Sequence, residues 1–379
     1  MDPSQNKIVY FKNLDGLRAI AALCVIFAHL AYWLKHPDNL FFNALSFLMS
    51  FDGNLGRIGV ICFFVLSGFL ITYLMYAEQT KKGKLNIPFF YMRRIFRIWP
   101  LYFLTLIVGF VIYPLILKSV GMPYYENARW FWYAIFAANF DHIYNYFPTS
   151  NMLGVQWSVA VEEQFYLIWP ILFVLLNKKK IFPWFLGLII IASEIFSIQV
   201  GSHVPGGDYH LFSCIRYLSY GSLIAYWSYS KIESLINILN KINKTTTLLI
   251  YLVCMVLMPL QNEITKVFPT YMYLYHIVPV LFFSFIITEQ NFSKNSFFKV
   301  GNFSILSWLG KISYGLYLTH MIAINIILAI LPNNPNYFLL NALLSITLCI
   351  CLSHYSYIYI EKYFLSWKEK FSSLGNNLE

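Results

Sequence analysis

Apolar stretches long enough to cross a membrane recur along almost the whole chain, and they constrain its fold more than any other feature. A helix of about 20 apolar residues spans the hydrocarbon core of a bilayer. Of the 379 residues, 59% are hydrophobic and only 12% are charged, which leaves too few polar side chains to cover a soluble domain. Disorder is excluded as well, because disordered chains are rich in charge and poor in aromatic residues. The chain is therefore expected to be a polytopic membrane protein.

The apolar runs predict an all-α bundle of about ten transmembrane helices, which forms a single membrane domain over residues 1–379. A helix satisfies its backbone hydrogen bonds internally, as lipid requires. The aromatic stretch 129–140 is instead predicted to be interfacial or re-entrant, because tryptophan and tyrosine favour the headgroup region. The predicted spans lie near residues 16–36, 56–77, 98–118, 155–177, 181–200, 209–229, 245–260, 271–289, 305–331 and 337–360.

The basic residues are distributed unevenly between the two sides of the predicted bundle. Cytoplasmic loops of membrane proteins carry an excess of lysine and arginine. With the N-terminus inside, all but six of the 27 basic residues fall on the cytoplasmic side. This bias explains the net charge of +10, so nucleic acid is not expected as a partner. We expect both termini in the cytoplasm and a long outer segment over about 119–154. The six exceptions are Lys35, Arg57, Lys118, Arg129, Arg216 and Lys266.

Several other functional classes lack support in the sequence. The six cysteines lie in apolar runs, with no C-x-x-C pair and no His/Cys cluster at metal-ligand spacing. Neither a disulfide framework nor a metal site is therefore expected. Motifs of nucleotide-binding proteins and serine hydrolases are missing. No cleavable signal peptide is expected, since the N-terminus is polar and no small-residue cleavage site follows the first apolar run.

The first span contains a cation and an imidazole on one helix face. Arg18 lies near the predicted cytoplasmic end and His29 lies deeper in the span. Their separation is close to three helical turns, so they share a face and lie about 16 Å apart along the axis. Ionisable groups at membrane depth are costly and are candidate functional residues. An anchoring arginine and a histidine bonded within the bundle would explain the pair about as well.

Two arginines in phase directly precede the third predicted span. Arg94 and Arg97 are three residues apart and share a helix face. Guanidinium groups in such a pair can bind phosphate through two hydrogen bonds each. Positive-inside anchoring also explains arginines at this position, although it does not require their phase.

The fourth span carries two adjacent carboxylates. Glu162 and Glu163 lie in an apolar helix and point about 100° apart. At most one of them is expected to face a given site, and the other is expected to pair with Arg57 or Arg216. A buried carboxylate can also orient a catalytic imidazole, while structural pairing alone is a serious alternative.

Two further features of the spans have simpler interpretations. The Ser67–Gly68 step in the second span predicts close helix packing, because small residues let helix backbones approach. His320 lies on the apolar helix of the ninth span, and a hydrogen-bonded core histidine explains it best.

Five motifs together resemble the acyltransferase-3 family of integral-membrane O-acyltransferases over nearly the whole chain. No single motif is specific, but all five stand in the family's order. They are LDGLRAIAAL with its later histidine, FFVLSGFLIT, RRIFRIWPLYF, WSVAVEEQFYLIWP and ISYGLYLTH. One departure is Ile61, where many members carry an acidic residue. Because the sequence ends after the tenth predicted span, the stand-alone form is expected, without the SGNH hydrolase-like domain that is fused to some members of the family.

The resemblance implies a function and a set of site residues. The expected reaction transfers an acyl group, most simply acetyl, from cytoplasmic acyl-CoA to a hydroxyl group in the bacterial inner membrane. Acetyl-CoA is then a co-substrate and no permanently bound cofactor is expected. The acceptor is a cell-surface polysaccharide or a lipid-linked saccharide such as O-antigen of lipopolysaccharide. The implied catalytic residues are His29, Glu162 and Glu163, and the implied cofactor-binding residues are Arg18, Arg94 and Arg97. We further expect Arg57 and Trp157 to bind the acceptor on the outer side.

Two alternatives fit part of the pattern. A transporter or flippase of acyl groups or glycolipids would also place charges along a membrane pathway. Transporters often contain repeated halves with matching broken helices, and the sequence shows no such repeat. A protein of the membrane-bound O-acyltransferase type would carry its histidine in a late span after an asparagine, whereas the strongest histidine signal here lies in the first span.

Overall fold

The chain folds into a helical membrane bundle. The computed structural model describes residues 10–34, 54–145, 147–201, 206–267 and 277–371, and these contain helices but no strand. Seven of the helices are long and apolar enough to cross a membrane. An eighth span results if Ile232–Lys241 and Lys244–Met258, which meet at 89°, count as one. The prediction of an all-α polytopic membrane protein is therefore confirmed.

The helices follow the apolar runs of the sequence. Turns of π-helix extend α3, α8 and α15 at their C-terminal ends, and a single turn, Asn151–Gly154, precedes α7. In chain order the helices are α1 (Lys12–Trp33), α2 (Asn54–Lys82), α3 (Ile87–Ile107), α4 (Tyr113–Ser119), α5 (Trp130–Ala134), α6 (Ala138–Tyr144), α7 (Gln156–Lys178), α8 (Phe182–Phe196), α9 (Leu211–Ser230), α10 (Ile232–Lys241), α11 (Lys244–Val267), α12 (Ile277–Phe292), α13 (Ser304–Lys311), α14 (Ser313–Ile330), α15 (Phe338–Ser356) and α16 (Lys362–Glu369).

Each predicted span overlaps a helix, but the count of ten stays a prediction. Helix α9 is 20 residues long and is not among those apolar enough to cross, because it contains serines, tyrosines and Arg216. The span predicted at 305–331 is divided between α13 and α14. Two predicted span ends, 35–36 and 271–276, lie outside the described residues.

The aromatic stretch 129–140 forms the short helix α5 and the start of α6, neither of which is long enough to cross a bilayer. Its contacts hold it against α3. The Tyr102 hydroxyl donates to the Tyr133 carbonyl oxygen at 2.8 Å, and the Phe136 ring stacks on Tyr102 at 4.5 Å between centroids.

Burial lowers the pKa of the neighbouring His142 to about 4, so this imidazole is neutral at physiological pH.

Helices α2 and α9 pack at the centre of the bundle with almost no space between their backbones. A Cβ atom on Gly68 would lie 1.9 Å from the Leu218 carbonyl oxygen, and one on Gly221 would lie 2.1 Å from that of Val65. Only glycine fits at such a distance. The close packing predicted at Ser67–Gly68 is therefore present, and it fixes the position of Ser67.

Reporter fusions along the chain test the predicted sidedness. Fusions after Lys82, Lys180, Lys241 and Lys370 are expected to report the cytoplasm, and a fusion near Asn145 is expected to report the outer side. The reason is the bias of basic residues toward one side of the bundle. Alkaline phosphatase and green fluorescent protein activities measure this directly, and a cytoplasmic signal near Asn145 would contradict the topology.

Candidate active site

A cavity of about 100 Å³ lies between α1, α2, α3, α7 and α14. Four side chains that the sequence analysis selected from three separate spans line it together. They are Arg18 from α1, Arg94 and Arg97 from α3, and Glu162 from α7. Three cations and one carboxylate thus share a single space within the apolar bundle, an arrangement suited to an anionic ligand.

The arginines are held by different kinds of contact. Nη1 of Arg18 donates to Oδ1 of Asp15 at 3.1 Å, and the Tyr10 hydroxyl donates to the other carboxylate oxygen at 2.6 Å. The guanidinium carbon of Arg94 lies 5.8 Å from the centre of the Tyr166 ring, within the range of a cation–π contact. Nε of Arg94 is buried and has no hydrogen-bond partner among the described residues. Arg94 therefore retains a donor that an anion could use.

Only one of the two adjacent carboxylates faces the cavity, as their angle on the helix predicts. Glu162 accepts hydrogen bonds from the Ser67 hydroxyl at 2.8 Å and from the Tyr166 hydroxyl at 3.1 Å. Glu163 points away from it and accepts Nε1–H of Trp99 at 3.0 Å. Glu162 is thus part of the cavity wall, and Glu163 contributes to the packing of α7 on α3.

The expected ion pair of Glu163 with Arg57 or Arg216 is wrong. Arg57 forms an ion pair with Asp208 at 3.1 Å, and Arg216 forms one with Glu194 at 3.2 Å. Both partners are acidic residues that the sequence analysis had not assigned. The physical reason is the tertiary arrangement, which brings α8 and the loop before α9 to these arginines.

The acceptor-binding candidates lie beside the cavity and do not line it. Arg57 and its partner Asp208 are partly exposed at the N-terminal ends of α2 and α9. The Trp157 ring lies 4.7 Å from that of Tyr209 and 6.2 Å from that of Phe64, which does line the cavity. A charged pair and a row of aromatic rings therefore extend from the surface toward the cavity.

His29 is not one of the residues that line the cavity. Its Nδ1 atom is 3.0 Å from the Val25 carbonyl oxygen. A carbonyl oxygen only accepts, so Nδ1 carries the hydrogen and Nε2 carries the lone pair. This backbone contact orients the imidazole, so the expectation that Glu162 or Glu163 would orient it is wrong.

A second histidine lies against His29. The ring centroids of His29 and His320 are 4.9 Å apart. The cavity lining reaches Tyr317, and His320 follows it by about one turn of α14, with its ring 5.9 Å from that of Tyr317. The histidine pair is therefore adjacent to the cavity on the side of α1 and α14.

Several contacts of this site were not predicted from the sequence. The Asp15–Arg18 pair has a signal in its i,i+3 spacing. The Ser67–Glu162 hydrogen bond and the contact of His29 with His320 have no such signal, because each joins residues from distant parts of the chain.

Comparison with known proteins covers almost every residue of this site. A family model described as an acyltransferase domain matches residues 11–355. The chain belongs to the acyltransferase-3 family. The match includes every residue discussed in the acyltransferase-3 site except Tyr10, which directly precedes it.

Two relatives of this acyltransferase-3 protein carry names of peptidoglycan O-acetyltransferases. The peptidoglycan O-acetyltransferase OatA of Listeria monocytogenes is 27% identical over 396 residues, which cover 95% of this chain and 58% of that protein. A Bacillus subtilis protein named "Putative peptidoglycan O-acetyltransferase YrhL" is 31% identical over 215 residues, which cover 52% of this chain and 30% of that protein. The match with this chain thus covers 58% of the length of OatA. No solved structure matches it significantly.

Proposed function

We propose that this acyltransferase-3 protein transfers an acetyl group from acetyl-CoA to a hydroxyl group of a bacterial cell-envelope glycan. The observation that carries the proposal is the convergence of Arg18, Arg94 and Arg97 on one cavity within the membrane bundle. Three cations that line one cavity favour an anionic ligand, and the phosphates of coenzyme A are anions of the kind that arginine binds. The names of the relatives make peptidoglycan the first acceptor to test, ahead of O-antigen.

In the proposed reaction, the donor enters from the cytoplasmic side and its phosphates contact the three arginines. The pantetheine arm covers the axial distance of about 16 Å between Arg18 and His29. Nε2 of His29 removes the proton of the acceptor hydroxyl as its oxygen attacks the thioester carbonyl. The carbon–sulfur bond then breaks, the proton passes to the thiolate, and an acetyl ester and coenzyme A are released.

The acceptor glycan is proposed to approach from the opposite side, between Arg57 and the rings of Trp157 and Tyr209. Aromatic rings can stack on the apolar faces of sugars, and the Arg57–Asp208 pair offers both a donor and an acceptor to their hydroxyl groups. Glu162 has a supporting role in this scheme, since its carboxylate offsets part of the cationic charge of the cavity when no donor is bound.

Comparison of envelope glycans from a deletion strain and its parent tests the proposal. We expect loss of base-labile O-acetyl groups from peptidoglycan in the deletion strain and their return when the wild-type chain is supplied. Acetate released by mild base and NMR of the purified glycan measure this. Loss from another glycan would correct the acceptor. Unchanged acetylation of every envelope glycan would contradict acyl transfer to glycans and favour a transport function.

A further inference from the structure

We infer that His320 shares the proton that His29 removes from the acceptor, and this inference rests on the proposed function. The two imidazole rings belong to α14 and α1 and lie 4.9 Å apart between centroids, tilted by 51°. His320 is completely buried. The sequence suggested a core histidine at this position, and its contact with His29 is what the tertiary structure adds.

Backbone carbonyl groups impose the same tautomer on both rings. Nδ1 of His29 lies 3.0 Å from the Val25 oxygen, and Nδ1 of His320 lies 2.6 Å from the Tyr317 oxygen. Each Nδ1 must therefore donate its hydrogen. Both rings in consequence present Nε2 as a hydrogen-bond acceptor, and two acceptors cannot bond to each other.

Nε2 of His320 accepts no hydrogen bond from the described residues of the resting protein. This atom is buried. Buried polar atoms are rarely left without a partner, and the exceptions call for an explanation. A donor that exists only during the reaction would explain this one.

Proton transfer to His29 creates such a donor. When Nε2 of His29 takes the proton from the acceptor hydroxyl, the oxygen–hydrogen bond breaks and Nε2 becomes N–H. Nε2 of His320 then accepts a three-centre hydrogen bond from this N–H, which also points to the acceptor oxygen, and so stabilises the positive charge on His29. The acceptor oxygen forms its bond to the acetyl carbon, and the carbon–sulfur bond breaks. The proton finally passes from the pair to the thiolate, which restores both neutral rings. His320 acts through His29 and is thus a positioning residue.

Three substitutions separate this role from simple packing. His320→Asn places its amide near Nδ1 and can still donate to the Tyr317 carbonyl, but it lacks an acceptor at the position of Nε2. His320→Gln extends its amide oxygen toward that position. His320→Met removes both nitrogens and keeps similar bulk. Because it also removes the unpaired buried nitrogen, it is expected to fold even if the asparagine variant does not accumulate.

The test uses the full chain in membrane vesicles from the native cells, which carry their own glycan acceptors. Transfer of label from [14C]acetyl-CoA to a base-labile product is measured for each variant. We expect His320→Asn and His320→Met to lower kcat by about tenfold or more, with an unchanged KM for acetyl-CoA, and His320→Gln to retain most of the wild-type kcat. His354→Asn on α15 is the matched control and should behave as wild type.

Each outcome decides between the roles. Wild-type kcat in His320→Asn or His320→Met would overturn the inference and leave the proposed function intact. An equal loss in the asparagine and glutamine variants would also overturn it, because packing would then explain the effect. No transfer by the wild-type protein would contradict the proposed function itself, and the inference with it.

Discussion

Replacement of His29 by alanine is expected to abolish O-acetylation of the envelope glycan. The imidazole is the proposed base, and loss of a general base lowers rates by about 10²–10⁴-fold. His29→Gln should be equally inactive, because an amide keeps polarity and bulk but cannot take the hydroxyl proton. The expectation differs at position 320, where His320→Gln should retain activity because that position only has to accept a hydrogen bond. The O-acetyl content of the glycan, measured by NMR, gives the result.

Protein level and membrane insertion provide the control for His29. Both should remain near normal in the two variants, because the half-buried side chain makes one backbone hydrogen bond within its own helix. An immunoblot of the membrane fraction measures this. Wild-type acetylation in His29→Gln would remove the assignment of a general base and leave His320 as the next candidate.

The double substitution Arg94→Ala/Arg97→Ala is expected to weaken the use of acetyl-CoA by about 100-fold or more. Hydrogen bonds to charged groups contribute roughly 1.5–3 kcal/mol each, and the variant removes two guanidinium groups from the cavity wall. Lysine at both positions should restore part of the activity, because the charge survives but the planar pair of donors does not. Initial rates over a range of acetyl-CoA concentrations measure the change in KM.

A basic residue at the same end of the bundle controls for the loss of charge. Lys84 is exposed in the connection between α2 and α3 and is not part of the cavity lining, so Lys84→Ala should leave KM unchanged. If the Arg94/Arg97 double alanine variant acetylates normally, both arginines are membrane anchors and the phosphate-binding role is wrong.

Relations within a single helix were predictable, because the helical period alone relates the side chains. The shared face of Arg94 and Arg97 and the divergence of Glu162 from Glu163 both follow from about 100° per residue. The structure places the two arginines and only one carboxylate around the cavity accordingly. Motifs from separate spans also suggested a common site, although sequence motifs do not give the distances between spans.

Relations between helices could not be predicted in the same way. The partners assigned to Glu163 were wrong because Asp208 and Glu194 compete for the arginines, and nothing in their local sequence signals this. A different limit applies to the Val25 carbonyl, which belongs to the same helix as His29 and orients its imidazole in place of a carboxylate. Backbone groups leave no trace in a residue pattern, so such contacts appear only when atoms are placed.

The sequence by itself determined that this chain is an all-α membrane protein, because apolar segments in lipid must satisfy their backbone hydrogen bonds as helices. Its five ordered motifs indicated the acyltransferase-3 family. Only the tertiary structure decided which helices meet. Lipid chains are as apolar as leucine, so hydrophobicity does not select one helix partner over another. That selection comes from shape, as in the backbone contact of α2 and α9 at Gly68 and Gly221. Packing of this kind positions Ser67 beside Glu162 and brings His320 against His29.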